Sequence, residues 1–566
     1  MVSSRARVGV TVAVAALAAC AGDTTTGGAD ADGSTDASTT HDPTTGTTSG
    51  TSDGTPTTAV DGSDTSSSSG SSGGETTEGA TPGPDLRVFY KDESDPDVRV
   101  LTLVDLIDGV LGDPIAYFPT QVDAVATLVT DRWLVAREFA SPATLTLLDL
   151  DTPPPFDRHP LELQGSPDDA RVLDLAGDRW LVATYGAAAD LHVYAVADDG
   201  SASSPWHVDD DLTPSAVGSD IAFVRDGQQV LFAADDEMAN TSAIWLAPAD
   251  EDAPMAFPLV EHPGTDLYGP MLAPDRAGLI YRTGGIIPAS LAAHFVDLAS
   301  DPVGAPIELG ALPDTLLLGQ LRWAPDSSGV TVLHLRAGDA SDLAWIPIAD
   351  GMPLAPVQLS AGASAGRASG ATWSDDARWV ALATSDPSET FLVHIVDGVA
   401  SPEMPVAAAG VQSDPTSVVF SADAQFLYLV LDHDDGEEVA RVSLAGDTPS
   451  APESLTPTLL GVWQLLLSAD DGTLYVAGNE PGDPVRHAWA IDVSGAEPGA
   501  PVRIDEGIAR DEELFGGMLT ADGSHVGYSV WTPMQQRRQA IVDRATATTY
   551  AIAGGGPVGS VWTQPL

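Results

Sequence analysis

The chain repeats one pattern of apolar and polar positions. An apolar residue is followed by two residues, then Asp, then a run of strand-forming residues. Leu128 and Asp131 precede RWLVA, and Leu175 and Asp178 precede RWLVA again, so that the six letters DRWLVA recur 47 residues apart. Phe223 and Asp226, Leu272 and Asp275, Trp323 and Asp326, Trp373 and Asp376, Phe420 and Asp423, Leu467 and Asp470, and Leu519 and Asp522 open the later units, spaced 47 to 52 residues apart. Each interval holds about four strands of about 4–8 residues with their turns. A period of this length in short strands predicts propeller blades.

The pattern has a physical basis in each unit. The Asp carboxylate can accept backbone N–H bonds in the turn between the first two strands, and a nearby Gly is expected to supply positive φ. The strand that follows is apolar on both sides, as in WLVA and FLYLVL, because a blade between two neighbours buries both faces. Third strands recur as LHVYAV, IWLAPA, HFVDLA, AWIPIA and AWAIDV. Trp133 and Trp180 therefore read as packing residues between blades.

The two ends complete the pattern. Val558–Thr563 reads like a first strand, after which the chain ends, whereas LRVFYKD (86–92) and VRVLTLVDL (98–106) read like second and third strands with no first strand before them. Joined, they make a composite blade that closes the ring. The expected fold is all-β: a propeller of about ten four-stranded units in one ring closed by the two ends. Two smaller propellers are the alternative.

The remainder of the chain differs sharply. Arg5 and Arg7 precede an apolar run, Val8–Ala19, that ends in Leu17-Ala18-Ala19-Cys20. Twelve apolar residues fall short of the about 20 that span a bilayer, but they suit a signal peptide. Cys20 is the only cysteine, so no intramolecular disulfide can form. Residues 21–85 are Thr, Ser, Gly and Asp with 11 acids and no base, a composition that cannot bury enough apolar surface to order itself. A flexible coil of that length spans roughly 45 Å on average. The division is thus 1–19 signal peptide, 20–85 Cys20 and disordered tether, and 86–566 propeller.

Charge narrows the partners. The chain carries −58, and 71 acids against 22 bases from residue 86 onward put −49 of it on the folded part. Such a field repels phosphate backbones, so no nucleic-acid partner is expected. An acidic, lysine-poor surface favours solubility in salt, or an attraction for cations and basic partners.

Two resemblances follow. The run ending at Cys20 resembles the lipobox of bacterial lipoproteins, which implies lipidation of Cys20 and membrane anchoring through the lipid. Ala21 after it favours, by the same resemblance, an outer-membrane location in the cell envelope. WAPDSSGVTVL (323–333), FSADAQFLYL (420–429) and LSADDGTLYV (467–476) resemble the WD-like repeats of TolB-type propellers. That likeness implies the fold; no shared activity comes with the repeat. The tether stands where TolB-type proteins carry an N-terminal α/β domain.

Chemistry is sparse. No P-loop, HExxH or CxxC motif occurs. The prolyl peptidases that use similar propellers add an α/β-hydrolase domain, for which no room is expected here. His192, His294 and His394 fall on third strands of different blades, too far apart to share a metal. Residues of the innermost strands converge on a propeller's channel, so Asp123, Asp174, Asp220 and Glu513, with Gln320 and Gln464, are the candidates for a divalent cation. No other cofactor is implied. Tyr268, Arg322 and Trp463 are the candidate ligand contacts. The leading expectation is a binding or scaffold module for a protein or other extracytoplasmic ligand. The alternative is a metal-dependent hydrolase or lyase working in the channel.

Overall fold

The computed structural model describes most of residues 85–565; residues 1–84, with Cys20 and the tether, and several short connecting segments lie outside the described residues. Among the described residues there is no α-helix, only β-strands and one 3₁₀ turn at Gly362–Ser364. The strands form ten sheets of four or five, each strand pairing antiparallel with the next.

Nine sheets are continuous in sequence, numbered here as blades 2 to 10. Their innermost strands are Val125–Leu128, Asp169–Ala176, Ala222–Val224, Asp266–Leu272, Leu317–Trp323, Ala368–Trp373, Gln412–Phe420, Gly461–Leu467 and Glu513–Leu519. Blade 1 is composite. Its second strand, Leu86–Asp95, lies between the third strand Val98–Ile107 and the C-terminal strand Val558–Pro565. Leu86 pairs with Pro565, and the register runs to Asp92 opposite Val558.

Each hydrophobic cluster spans two successive blades, which makes the sheets a ring rather than a row. Trp133, Val135 and Leu147 of blade 2 pack with Trp180, Val182 and Tyr194 of blade 3. Tyr428, Val430 and Val439 of blade 8 pack with Leu474, Val476 and Trp489 of blade 9. Ile541 and Ile552 of blade 10 pack with Leu86, Val88 and Val104 of blade 1. Phe89 meets Phe156 of blade 2 at 6.1 Å between ring centroids, and the Arg87 guanidinium sits 4.9 Å above the same ring. The ring is therefore single and has ten blades. Second strands are buried along nearly their whole length, as in Trp379–Thr384 and Thr473–Asn479, because neighbouring sheets cover both faces.

The repeated Asp performs the expected turn chemistry. Asp275, Asp326, Asp376, Asp423 and Asp470 each accept the N–H two residues on at 2.9–3.0 Å. Ser374, Ser421 and Ser468 donate their hydroxyls to the same carboxylates at 2.6–2.7 Å. Burial works against the charge of Asp376, but the bonds from Ser374 and from the Arg378 amide and guanidinium outweigh it and hold that carboxyl below its ordinary value.

The expectation that glycine supplies the positive φ needs correction. After the Asp, the left-handed residue is Arg276, Ser327, Ala377, Ala424 or Asp471 in blades 5 to 9, with φ between 53° and 63°. Glycine takes the position at Gly227 and Gly523. The reason is that this residue stands against the preceding blade. A Cβ on Gly227 would lie 2.5 Å from the Cβ of Ala176, and one on Gly523 would lie 2.8 Å from Thr473 Oγ1. Where the gap is wider, the side chain bridges it. Ser327 Oγ accepts the Asp275 N–H at 3.1 Å, and Asp471 accepts the Ala422 and Asp423 N–H groups at 2.9 and 3.3 Å.

This antiparallel arrangement gives the ring two ends. The Asp turns and the turns between third and outer strands share one end, called here the turn end. The connections between second and third strands, and those between blades, share the other, the loop end.

Candidate binding site

The innermost strands do not run straight. Their pairing with the second strand slips by one or more residues near Leu173, Gly269-Pro270, Gly319-Gln320, Ser369, Trp463 and Phe515. A bulge leaves its extra residue unpaired and re-aims that side chain. Whether a first-strand residue reaches the channel, a neighbouring blade or solvent is thus decided by the bulge and not by simple alternation.

Asp174 lies just beyond the bulge at Leu173. Its carboxylate accepts the Phe223 N–H of blade 4 at 2.7 Å. It also forms a two-point ion pair with Arg276 of blade 5, at 2.6 and 2.9 Å. Arg276 donates to the Phe223 carbonyl as well, at 2.8 Å, so one carboxylate and one guanidinium tie three blades together. Gln464, next to the bulge in blade 9, performs the same task with a neutral amide. It accepts the Gly517 N–H at 2.8 Å and donates to the Gly517 carbonyl at 3.3 Å. Gln320, in its bulge, lies within 3.0 Å of both Nε and Nη2 of Arg322 once its amide is oriented to accept from them. Arg322 is exposed.

The remaining candidates are placed only in part. Tyr268 pairs with Arg282, and Glu513 opens its strand opposite Trp531; their side chains are not described. Asp123 and Asp220 lie outside the described residues. Among the described residues no group of three His, Cys, Asp or Glu is placed to hold a metal ion.

The histidines occupy separate interiors. His192 Nε2 is 3.1 Å from Thr184 Oγ1, and His294 Nε2 is 3.0 Å from Thr283 Oγ1. His394 stacks on Trp379 at 4.2 Å. His487 is held in blade 9 between Asp505, at 2.7 Å from Nδ1, and Asp483, at 3.5 Å from Nε2.

Trp463 stands apart from these staples. It is the bulged residue of its strand, between Val462 opposite Gly478 and Gln464 opposite Ala477. Its side chain is 60 % exposed, yet its position is fixed. The indole Nε1 donates to Asn479 Oδ1 at 2.7 Å. The Arg486 guanidinium lies 3.7 Å from the ring centroid and donates to the Leu514 carbonyl at 3.3 Å. The preceding amide, Val462 N–H, donates to Glu437 Oε2 at 2.5 Å. Asn479 ends the second strand of blade 9 and Arg486 begins the third, so Trp463, Asn479 and Arg486 meet at the loop end. Of these residues, sequence reasoning found Trp463 and missed Asn479, Arg486 and Glu437. The hairpin Thr473–Asp492, with its second and third strands in register, held the available signal, since it puts Asn479 directly opposite Arg486.

A second motif passed unnoticed in the sequence. Gly362-Ala363-Ser364-Ala365-Gly366 has the letters of a hydrolase nucleophile turn. Here it forms a 3₁₀ turn between blades 6 and 7, not a strand-to-helix turn. Ser364 is fully buried, and its hydroxyl donates to Glu403, which also accepts the Ala361 and Ser364 N–H groups at 3.0 and 3.1 Å. Its serine is a structural pin.

No family model matches the chain, and no curated protein matches it by sequence. Among solved structures it is similar to a prolyl endopeptidase at 20 % identity and a TM-score of 0.35, over 59 % of this chain and 48 % of that one. It is similar also to a puromycin-hydrolysing peptidase of Mycobacterium tuberculosis at 16 % identity and a TM-score of 0.32, over 58 % of this chain and 53 % of that one. The chain spans about half the length of each.

Proposed function

We propose that the protein is an envelope lipoprotein, anchored through lipid on Cys20 in the outer membrane, whose ten-bladed propeller is a binding or scaffold module for an extracytoplasmic ligand. The observation that carries this reading is Trp463: a large aromatic side chain, 60 % exposed, yet pinned by Asn479 and Arg486. An aromatic ring fixed before its ligand arrives loses little conformational freedom on binding, and Trp and Arg dominate the energetics of interfaces. The engagement of Asp174 and Gln464 in bonds between blades favours this reading over a hydrolase or lyase in the channel, because those groups already serve the ring.

The test has two arms. Metabolic labelling with a radioactive fatty acid should mark the wild type and not Cys20→Ser. Crosslinking of intact membranes should capture a stoichiometric ligand with the wild type and lose it with Trp463→Ala. An unlabelled wild type removes the anchor. Capture unchanged by Trp463→Ala removes this site as the binding surface.

A further inference from the structure

We propose that the Trp463 face docks a partner protein through a basic segment, one that offers an apolar side chain flanked by Arg or Lys; this rests on reading the propeller as a binding module. Trp463 does not stand alone. Leu460, in the connection between blades 8 and 9, is 58 % exposed, beside 60 % for Trp463. The backbone that carries them is fixed. Glu437 and Leu459 exchange both of their backbone hydrogen bonds, at 2.7 and 2.6 Å, and the Leu460 N–H donates to the Asn479 carbonyl at 2.7 Å. The connection is thus pinned to the hairpin of blade 8 on one side and to that of blade 9 on the other. Arg486 lies against one face of the indole at 3.7 Å, which leaves the other face and the rim to solvent. Two large apolar side chains on a fixed backbone lose little freedom when a partner covers them. Among the described residues these two are the large exposed apolar side chains of the loop end; others, such as Val110, Met352 and Val399, belong to third and outer strands and their turns.

The hairpins on either side set the charge of the partner. In sequence, residues 432–438 of blade 8 read DHDDGEE, five acids with no Lys or Arg, and residues 479–486 of blade 9 hold Glu480 and Asp483 against one base, Arg486. Asp432 is exposed and stands directly opposite Glu437, the residue bonded to Leu459. Glu480 follows Asn479, whose carbonyl holds Leu460. An apolar centre with a charged rim is the plan of a protein interface, and a Trp at that centre is a preferred anchor. A rim of carboxylates within the field of a chain carrying −58 speeds the encounter with a basic partner and repels an acidic one. The same field turns away a second copy of the chain. It also turns away residues 21–85, which have 11 acids and no base.

The experiment titrates the detergent-solubilised full chain with fluorescently labelled dodecapeptides of repeated Leu-Arg-Ser, Ser-Arg-Ser or Leu-Glu-Ser and follows anisotropy. The Leu-Arg-Ser peptide should bind, and added salt should weaken it. Trp463→Ala should weaken it about tenfold or more, and Leu460→Ser by a smaller factor. Neither variant alters the net charge, so the loss cannot come from the field. Both side chains are exposed, so the variants should keep the wild-type circular dichroism spectrum; Trp463→Phe, which keeps an aromatic face, should bind between wild type and Trp463→Ala. The Ser-Arg-Ser peptide should bind more weakly and with no dependence on Trp463, and the Leu-Glu-Ser peptide should not bind. No binding of Leu-Arg-Ser, equal binding by Trp463→Ala, or equal binding of Leu-Glu-Ser overturns the proposal. So does self-association in sedimentation that Trp463→Ala abolishes, since it assigns the face to a second copy. If the basic peptides fail while membrane crosslinking still captures a Trp463-dependent ligand, the basic class falls and the binding-module reading stands. If both fail, both fall.

Discussion

His334 offers a quantitative test of how the blades are packed. It lies on the second strand of blade 6 and is fully buried. Its Nδ1 lies 3.1 Å from Thr315 Oγ1 and 3.4 Å from the Leu312 nitrogen. Taking up a second ring proton would place a charge inside this buried site, and Arg336 stands close enough to oppose it. Burial first, and Arg336 second, lower the pKa from 6.5 to about 4. In the unfolded chain the ring takes up a proton as the pH falls through about 6.5, whereas the native ring stays neutral until about 4. The unfolded state therefore binds more protons across that window, and stability falls as the pH falls. The gap of about 2.5 units, at about 1.4 kcal/mol per unit, limits the loss to about 3 kcal/mol. Because other carboxylates titrate over part of this range, the difference between wild type and His334→Gln is the proper readout. Urea unfolding followed by tryptophan fluorescence should show wild type losing about 2–3 kcal/mol more than the variant between pH 7 and pH 4.5. Parallel pH profiles, or an imidazole signal that titrates near 6.5 in the native protein, would refute the reasoning.

Three further outcomes follow from the packing between blades. Trp180→Ala should leave a cavity between blades 2 and 3 and cost about 3–5 kcal/mol in chemical denaturation. Gly523→Ala puts a Cβ at positive φ and within 3.0 Å of Thr473 and Ser468, so thermal unfolding should show a loss of about 2–4 kcal/mol; a neutral result would mean that blades 9 and 10 can part at that turn. Gln464→Leu strips both bonds from the Gly517 peptide and should cost about 1–3 kcal/mol, with faster hydrogen exchange at the Gly517 amide as the local signature.

Much of the architecture was legible because it rests on a repeated local rule. The Asp turn, the apolar second strand and the echo of DRWLVA each describe a position that looks alike in many blades, so one periodicity located nearly every sheet. The composite blade was legible for the same reason: Val558–Pro565 supplies the first strand that Leu86–Asp95 lacks. The site was less so. Asp174 and Trp463 both belong to first strands, and the bulge beside each shifts the alternation that a sequence pattern assumes: one is in an ion pair with Arg276 and the other is at the surface. Bulges carry little sequence signature, and Arg276 is 102 residues from the carboxylate it holds. The identity of the left-handed residue in each turn was hidden likewise, since it answers to the width of a gap set by the preceding blade.

Closure of the ring by the chain's two ends bears on mechanical load. Leu86 enters the sheet at the turn end, directly beside Pro565. Any pull delivered through the residues before Leu86 acts along the strand Leu86–Asp95, which is hydrogen-bonded on both sides, to Val98–Ile107 and to Val558–Pro565. Such a force shears two ladders together instead of peeling one bond at a time. The blade with the least continuous chain is thus the one whose geometry best resists extraction along the line of pull. Removing the C-terminal strand would halve that grip and leave the first turn of the ring open to peeling.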